Sequence, residues 1–400
     1  MPPRNTGRYE RTKIGGEEVA AFVPFALPPA DPPVTLTPHL SARLRAAEAA
    51  LIRLELAGEM VPSLDWFIYA FVRKEAVLSS QIEGTQATLA DLLAFEAQED
   101  AIGRAGNAIQ PTADVEEICN YLDALSYARA QLADPHGLPL SMRLLNETHR
   151  RLMRGVRGAE KLPGEVRRSQ NWIGGSRPGN AVYVPPPPHV LAELLGAFET
   201  YLHASDASPA LVRAGFLHAQ FETIHPYLDG NGRIGRLLVT LLLEEWKLLA
   251  RPLLYLSLFF KRHREDYYRR LDAVRKVGDW EGWLEFFLEG IATIADEAVG
   301  SARDLFALIA EDRARVLASE KTSVSALRLL EILPRHPIVT VASSMKLLGT
   351  TKPTAGKAVE SLVTSGVLVE STGKKRDRSF VYRAYLKRLE IGTELKSSEG

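Results

Sequence analysis

The stretch Ile224-His-Pro-Tyr-Leu-Asp-Gly-Asn-Gly-Arg-Ile-Gly-Arg236 decides the reading of this 400-residue chain. The apolar run Leu237-Leu-Val-Thr-Leu-Leu-Leu243 follows it at once. A polar, glycine-containing turn that feeds a buried helix leaves the first N–H groups of that helix without intrahelical partners. The helix dipole favours an anion there, so the junction reads as a phosphate site. Gly230 and Gly232 let the backbone aim its N–H groups at one point and let a ligand come close. Asn231 can add a side-chain N–H. Arg233 and Arg236 lie one helical turn apart, so both face one side and can reach successive phosphates. Asp229 cannot serve phosphate directly; its expected partner is Mg2+, which binds through one or two carboxylates plus substrate phosphates. His225, just ahead of the turn, is placed to take a proton from an incoming group.

Working outward, length and composition describe an ordinary globular protein of two or three domains. The formal net charge is zero, so attraction to nucleic acid or membrane must be local if it exists. The one cysteine, Cys119, excludes an intrachain disulfide and a cysteine-rich zinc site, and it suits a reducing cytoplasm. The first residues have no apolar core of the kind a signal peptide needs, and no apolar run is long enough to span a bilayer.

Pro24, Pro28, Pro29, Pro32 and Pro33 keep residues up to about Leu36 extended. Helical spacing begins near Leu40, and a second helix runs from Ser63 into Ile82, stopped by Gly84. Thr88-x-x-Asp91 caps the next helix, and Glu96–Ala113 reads as a polar connection. Helices follow at Val115, at Ser141–Arg154, at His189–Ala204 and at Pro209–Thr223. Between them, Pro163–Pro188 reads as a glycine- and proline-rich loop with one short strand or hairpin. The signature helix runs to about Leu249, and Pro252 breaks it. Leu256–Val277 and Trp280–Leu317 are helical, the latter with a weak point at Gly290. From Ser323, three short helical segments precede Gly366–Glu370 and Phe380–Arg383, which alternate like paired strands around Gly373-Lys-Lys-Arg-Asp-Arg378. That is the order of a winged helix.

The signature resembles that of the Fic (filamentation induced by cyclic AMP) domain, His-Pro-x-x-Asp-Gly-Asn-Gly-Arg-x-x-Arg. The one departure is Tyr227, where the family usually has Phe. The resemblance implies a Fic-type core over 113–318 with a short β-hairpin flap, and an N-terminal helical segment over 1–112. With the C-terminal winged helix over 319–392 and a loose polar tail over 393–400, the chain reads as mainly helical. The resemblance also implies transfer of AMP from ATP, with Mg2+, to a Tyr, Thr or Ser hydroxyl of a target protein or of this chain itself. His225 would deprotonate the hydroxyl and Asp229 would hold Mg2+. Asn231 and the N–H groups of Gly230 and Gly232 would form the anion hole. Arg233 would neutralise phosphate charge, and Arg236 would hold the γ-phosphate. The alternatives are another nucleotide or phosphocholine donor, net removal of AMP, or a nucleotide-sensing DNA-binding regulator. The family also implies a homodimer.

Glu83 sits at a helix end where a negative charge opposes the dipole. By itself it reads as a solvated carboxylate. Ser79-x-x-x-Glu83-Gly84, however, resembles the Fic inhibitory motif, which implies that Glu83 pairs with Arg236 and restrains transfer. Gly174–Val184 resembles the Fic flap, with Arg177, Val182 and Tyr183 as residues that would meet a target through strand addition; alone it reads as a surface hairpin. The later core segment resembles the region that lodges adenine. Tyr267 and Tyr268 cannot share a helix face, so one of them, Tyr268, is the candidate for the base. Gln220 is close enough in sequence to reach the nucleotide, and it reads equally as a surface glutamine. His218 reads as a packing histidine, and Phe259 and Phe260 as core. In the C-terminal segment, Lys352 and Lys357 on the candidate recognition helix, with Lys374, Lys375, Arg376 and Arg378 on the wing, suit DNA phosphates. They suit a protein-interaction module equally well.

Overall fold

The computed structural model describes residues 4–59, 64–102, 110–205, 208–320, 322–373 and 378–395. In chain order these form β1 (Gly7–Ile14), β2 (Glu17–Pro24), α1 (Pro38–Glu59), α2 (Leu64–Ile82), α3 (Leu89–Ile102), α4 (Ala113–Ala133) and α5 (Met142–Leu152). Then come α6 (Leu191–His203), α7 (Ala210–Ile224), α8 (Asn231–Glu245), α9 (Ser257–Arg262), α10 (Arg264–Val277) and α11 (Trp280–Leu317). The chain closes with α12 (Val324–Ile332), β3 (Ile338–Thr340), α13 (Val341–Leu348), α14 (Lys352–Thr364), β4 (Val369–Glu370), β5 (Ser379–Val381) and α15 (Arg383–Leu389). The fold is mainly helical, as the sequence implies. No helix among the described residues is long and apolar enough to cross a membrane.

The chain divides into two compact units, Met1–Glu55 with Cys119–Ala295, and Leu56–Ile118 with Asp296–Gly400. In the first, α7 and α8 pack as an antiparallel pair whose residues are almost all buried. The apolar run over 237–243 accounts for much of that burial, and polar residues such as His218, Gln220, Asn231, Arg233 and Arg236 are buried with it. The extended N-terminal stretch is a hairpin, with Gly7 opposite Pro24 and Ile14 opposite Glu17. Ile14, Val19 and Ala21 of that hairpin pack on Val184, at the end of the glycine-rich loop. Gly290 does not weaken α11, which runs through it unbroken. A Cβ there would come within 2.7 Å of Phe259 Cδ1, so the missing side chain makes room for a core ring.

In the second unit, α2 ends as expected at Gly84, whose φ of +100 suits glycine. Helix α3 continues to Ile102, so residues Glu96–Ile102 are helical rather than a connection. They contain no glycine or proline, and Glu96 is held by Arg73 Nη2 at 2.8 Å and Tyr69 Oη at 2.6 Å. Polarity there marks an exposed helix face, not a loop. The C-terminal segment has strand order β3-β5-β4, all antiparallel. Its element order is consistent with the winged helix expected; the short strand β3 was not foreseen. Lys352 and Lys357 are exposed on α14. Arg378 pairs with Glu370 at 3.3 Å. Lys374, Lys375 and Arg376 lie outside the described residues.

Candidate active site

Helix α7 ends at His225, which takes the left-handed conformation at φ 50, ψ 62. This is a costly backbone for a residue other than glycine, and such strain concentrates at functional sites. The kink is stapled from outside. Arg167, 2% exposed, donates from Nε to His225 O at 2.9 Å and from Nη2 to Pro186 O at 2.5 Å and Ile224 O at 3.4 Å. Its own N–H donates to Pro226 O at 2.9 Å. Burial pushes the guanidinium down from its ordinary value to about 10.

The turn after His225 is closed by Asn231. Its Oδ1 accepts from Tyr227 N–H at 2.8 Å, and its Nδ2 donates to Tyr227 O at 2.8 Å. Both ends of the amide therefore fix the loop's own shape, where the sequence reading gave this side chain to the anion hole. Tyr227 fills a core slot, as the usual Phe would, and its hydroxyl donates to Asn146 Oδ1 at 2.8 Å. His149 stacks on the Tyr227 ring at 3.9 Å and 5°. The Gly164 N–H donates to His149 Nδ1 at 2.8 Å, so Nε2 carries the proton and donates to Asp229 O at 3.0 Å. Burial pushes this imidazole down to about 4, against the Asp229 carbonyl bond. Sequence spacing gave His149 no role, because its partners lie far away in the chain.

Asp229 Oδ1 accepts from the Gly230 N–H at 2.7 Å, and Oδ2 lies 3.0 Å from Lys161 Nζ. Burial alone would raise this carboxyl, but Lys161, the Gly230 N–H and Arg233 hold it below the ordinary value. Gly230 sits at φ +76, and a Cβ on it would come within 2.9 Å of Met153 Sδ, so only glycine fits this corner. It is the N-cap of α8 and makes no side-chain cap bond. The first N–H groups of α8 (Asn231, Gly232 and Arg233) therefore present an anion site. Arg233 is 1% exposed, with Nη2 at 3.4 Å from Met153 Sδ and 3.9 Å from Asp229 Oδ1. Arg236 is 3% exposed on the same helix. Beside it, His218 donates from Nδ1 to Gly235 O at 2.9 Å and accepts from Tyr267 Oη at 2.8 Å. It is the packing histidine expected; burial pushes it down to about 4, and the Arg236 charge acts the same way.

The described residues contain no group of three or more His, Cys, Asp or Glu that could cage a metal. A single partly exposed carboxylate next to a phosphate-binding turn does fit Mg2+, which takes few protein ligands and completes its shell with substrate phosphates and water.

The flap is a single antiparallel bridge, with Ile173 N–H on Tyr183 O at 2.8 Å and Val182 N–H on Ile173 O at 2.9 Å. Val182 is 69% exposed. Tyr183 is buried instead, its hydroxyl donating to Thr223 O at 2.7 Å and its ring under Arg275 at 3.9 Å. Its N–H also donates to Ile173 O at 3.1 Å, so side chain and backbone alike anchor the flap. Arg177 Nη1 and Gly179 N–H both donate to Glu17 Oε2, at 2.7 and 2.8 Å. Phe22 N–H donates to Val184 O at 3.0 Å. The N-terminal hairpin thus braces the flap, which the sequence reading missed. Gln220 is buried, not at the surface, and donates to Phe25 O at 2.9 Å. Tyr267 is core and Tyr268 is 42% exposed, so the exposed member is the one proposed for the base. Phe259 and Phe260 are core, as expected.

In the second unit, Ser79 is fully buried in α2. Glu83 follows the helix's last residue, half-buried, with its N–H on Ser80 O at 3.0 Å. Gly84 N–H donates to Gln81 O at 3.1 Å, and Thr85 Oγ1 locks the exit onto Glu117 Oε2 at 2.7 Å.

The helical hairpin thus brings together a strained histidine, a partly exposed carboxylate and a helix N-terminus with two buried arginines. Residues 41–130 match the family described as Fic/DOC family N-terminal, and residues 139–243 that described as Fic/DOC family. The chain carries a Fic N-terminal domain followed by a Fic domain. A protein adenylyltransferase Fic from Drosophila persimilis is 30% identical over 227 residues, covering 56% of this chain and 40% of the relative. One from Drosophila willistoni is 29% identical over 283 residues, covering 69% and 51%. The chain thus spans about half or less of the length of these relatives. A Fic family protein from Desulfovibrio desulfuricans G20 aligns with a TM-score of 0.56 at 21% identity, over 88% of this chain and 97% of that one. Fic-1 of C. elegans aligns with a TM-score of 0.50 at 20% identity, over 67% and 75%. These two likenesses speak for the fold.

Proposed function

We propose that this protein is an ATP-dependent protein adenylyltransferase that moves AMP onto a Tyr, Thr or Ser hydroxyl of a target protein or of itself. The observation that carries the reading is the strained turn at His225. It sets a base just ahead of a helix N-terminus that carries Asp229 in its turn and the buried Arg233 and Arg236 in its first turns. The curated relatives named protein adenylyltransferase Fic support it.

In this mechanism the hydroxyl oxygen attacks the α-phosphorus as the bond to the β-phosphate oxygen breaks. His225 takes the hydroxyl proton, and pyrophosphate leaves. The N–H groups at the start of α8 hold the α- and β-phosphate oxygens, Arg233 offsets the charge that builds on them, and Arg236 holds the γ-phosphate. Asp229 would hold Mg2+, which when bound neutralises phosphate charge. The flap backbone aligns the target segment by strand addition, and Tyr268 meets the base.

Glu83 is proposed to restrain the reaction by competing with the γ-phosphate for Arg236; the motif Ser79-x-x-x-Glu83-Gly84 supports this. Lys352 and Lys357 on α14 form a second, exposed surface, where DNA phosphates would be met.

The test is mass spectrometry of Glu83→Gly protein incubated with mixed nucleoside triphosphates and Mg2+. An adenylyl increment on a hydroxyl residue is expected, well above wild type. His225→Ala in the same background is expected to lower it about a hundredfold or more. A cytidylyl, uridylyl or guanylyl increment would replace AMP with that group. Equal labelling of wild type and Glu83→Gly would remove the inhibitory role.

A further inference from the structure

Lys161 lies outside the signature turn, yet its ammonium is 3.0 Å from Asp229 Oδ2. The other oxygen of that carboxylate already accepts from the Gly230 N–H at 2.7 Å. The group that the proposed function assigns to a divalent cation is therefore engaged on both oxygens by this chain. A third positive group, Arg233 Nη2, stands 3.9 Å from Oδ1.

An ammonium and a divalent cation cannot share this corner. Both need the lone pairs of Oδ2, and like charges at contact distance repel strongly where water is partly excluded. Lys161 is held near by its backbone, with its N–H on Gly158 O at 2.8 Å. Its side chain is nevertheless 42% exposed, and that of Asp229 is 32% exposed. Half-exposed pairs of this kind are weak and exchange partners readily. A triphosphate entering beside α8 would change the balance in two ways. It would supply the further oxygen ligands that Mg2+ requires, and it would offer the released ammonium a new anionic partner.

We propose that Lys161 is a positioning residue that stands in for the divalent cation at Asp229 and makes metal entry depend on nucleotide. The inference rests on the reading of Asp229 as the metal ligand. Metal alone then binds poorly because Lys161 must first be displaced into water with nothing to receive it.

The test is titration of the full chain with Mn2+, followed by the electron paramagnetic resonance signal of the free ion. It compares wild type, Lys161→Met, Lys161→Arg and Asp229→Asn, each with and without a non-hydrolysable ATP analogue. Without nucleotide, Lys161→Met is expected to bind Mn2+ about fivefold more tightly than wild type, an effect of the size a half-exposed ion pair can exert. Lys161→Arg should stay near wild type, and the analogue should shrink the differences among these three. Equal or weaker Mn2+ binding by Lys161→Met without nucleotide, alongside loss of binding in Asp229→Asn, would overturn the role of Lys161 and leave that of Asp229 standing. Undiminished Mn2+ binding by Asp229→Asn with the analogue present would overturn both.

Discussion

Arg167 shapes the histidine proposed as the base more directly than most residues of the signature itself. It is buried, and its donors go to the carbonyls of His225, Ile224 and Pro186. These are the points where α7 ends in a strained turn and where the flap returns to the core. A lysine offers one flexible ammonium in place of the planar fork and cannot reach three carbonyls in different directions. Arg167→Lys is therefore expected to leave carbonyls unsatisfied and to lower stability by about 2–4 kcal/mol. Labelling of the Glu83→Gly background should fall at least tenfold while ATP affinity changes little, because a small displacement of His225 misplaces the base without touching the anion site. A matched loss in ATP affinity would instead make Arg167 a general prop of the fold. Nothing local in the sequence marks this residue. An arginine in a glycine- and proline-rich stretch resembles a surface charge, and only contacts about 58 residues away in the chain show otherwise. His149 escaped for the same reason, since its partners are Gly164 and Asp229. His225, Asp229, Gly230 and the two arginines were legible because one short segment carries both their chemistry and their geometry.

At the scale of elements, helices were legible where the reading had a stop residue at their end, as with Gly84 after α2; the one helix expected over Leu256–Val277 is instead two, α9 and α10, parted at His263. Helices were misjudged where polarity was taken for irregularity, as over Glu96–Ile102. The N-terminal hairpin escaped because the prolines that follow it dominate the local reading, and because its purpose is tertiary. Its turn-side residue Glu17 ties down the flap tip through Arg177 and the Gly179 N–H. Glu17→Ala should free that tip. Amide exchange over 173–183 should quicken about three- to tenfold, a modest figure because the pair is half exposed. Exchange in α7 and α8 should stay unchanged. Under the proposed function, modification of a separate target should weaken mainly through its KM, since a looser flap must be ordered when the target strand arrives. Unchanged exchange at Gly179 would mean that the apolar contacts of Ile14, Val19 and Ala21 with Val184 hold the flap alone.

For the whole molecule, the mainly helical class followed from periodicity, whereas the division into two discontinuous units did not. Residues 56–118 join the C-terminal unit although they precede most of the first, and sequence order carries no signal for such a return. Stability against acid is a property at this scale, because it sums groups in different places. His149 and His218 are both held neutral in the fold, each pushed down to about 4 from an ordinary value of 6.5. The unfolded chain therefore binds protons at these two positions at a higher pH than the native protein does. Stability is full above about pH 6.5 and is lost as the pH falls from there toward 4, where each site has cost about 2–3 kcal/mol. Protonation would also add a donor at His149 Nδ1, which faces the Gly164 N–H, and at His218 Nε2, which faces the Tyr267 hydroxyl. The Gly164 bond would be broken, and the tie between the flap base and the Asp229 turn would go with it. Carboxylates held low, Asp229 and Glu281, act only from the acid end of this window downward, below their ordinary values of 3.8 and 4.5, and steepen the loss there. Urea unfolding midpoints are therefore expected to fall steadily between pH 6.5 and 4.5, with the first unit opening before the second. Hydrogen exchange at pH 5 should show early loss of protection around Gly164 and Asp229. A flat midpoint across that range would mean that neither imidazole is held neutral by the fold.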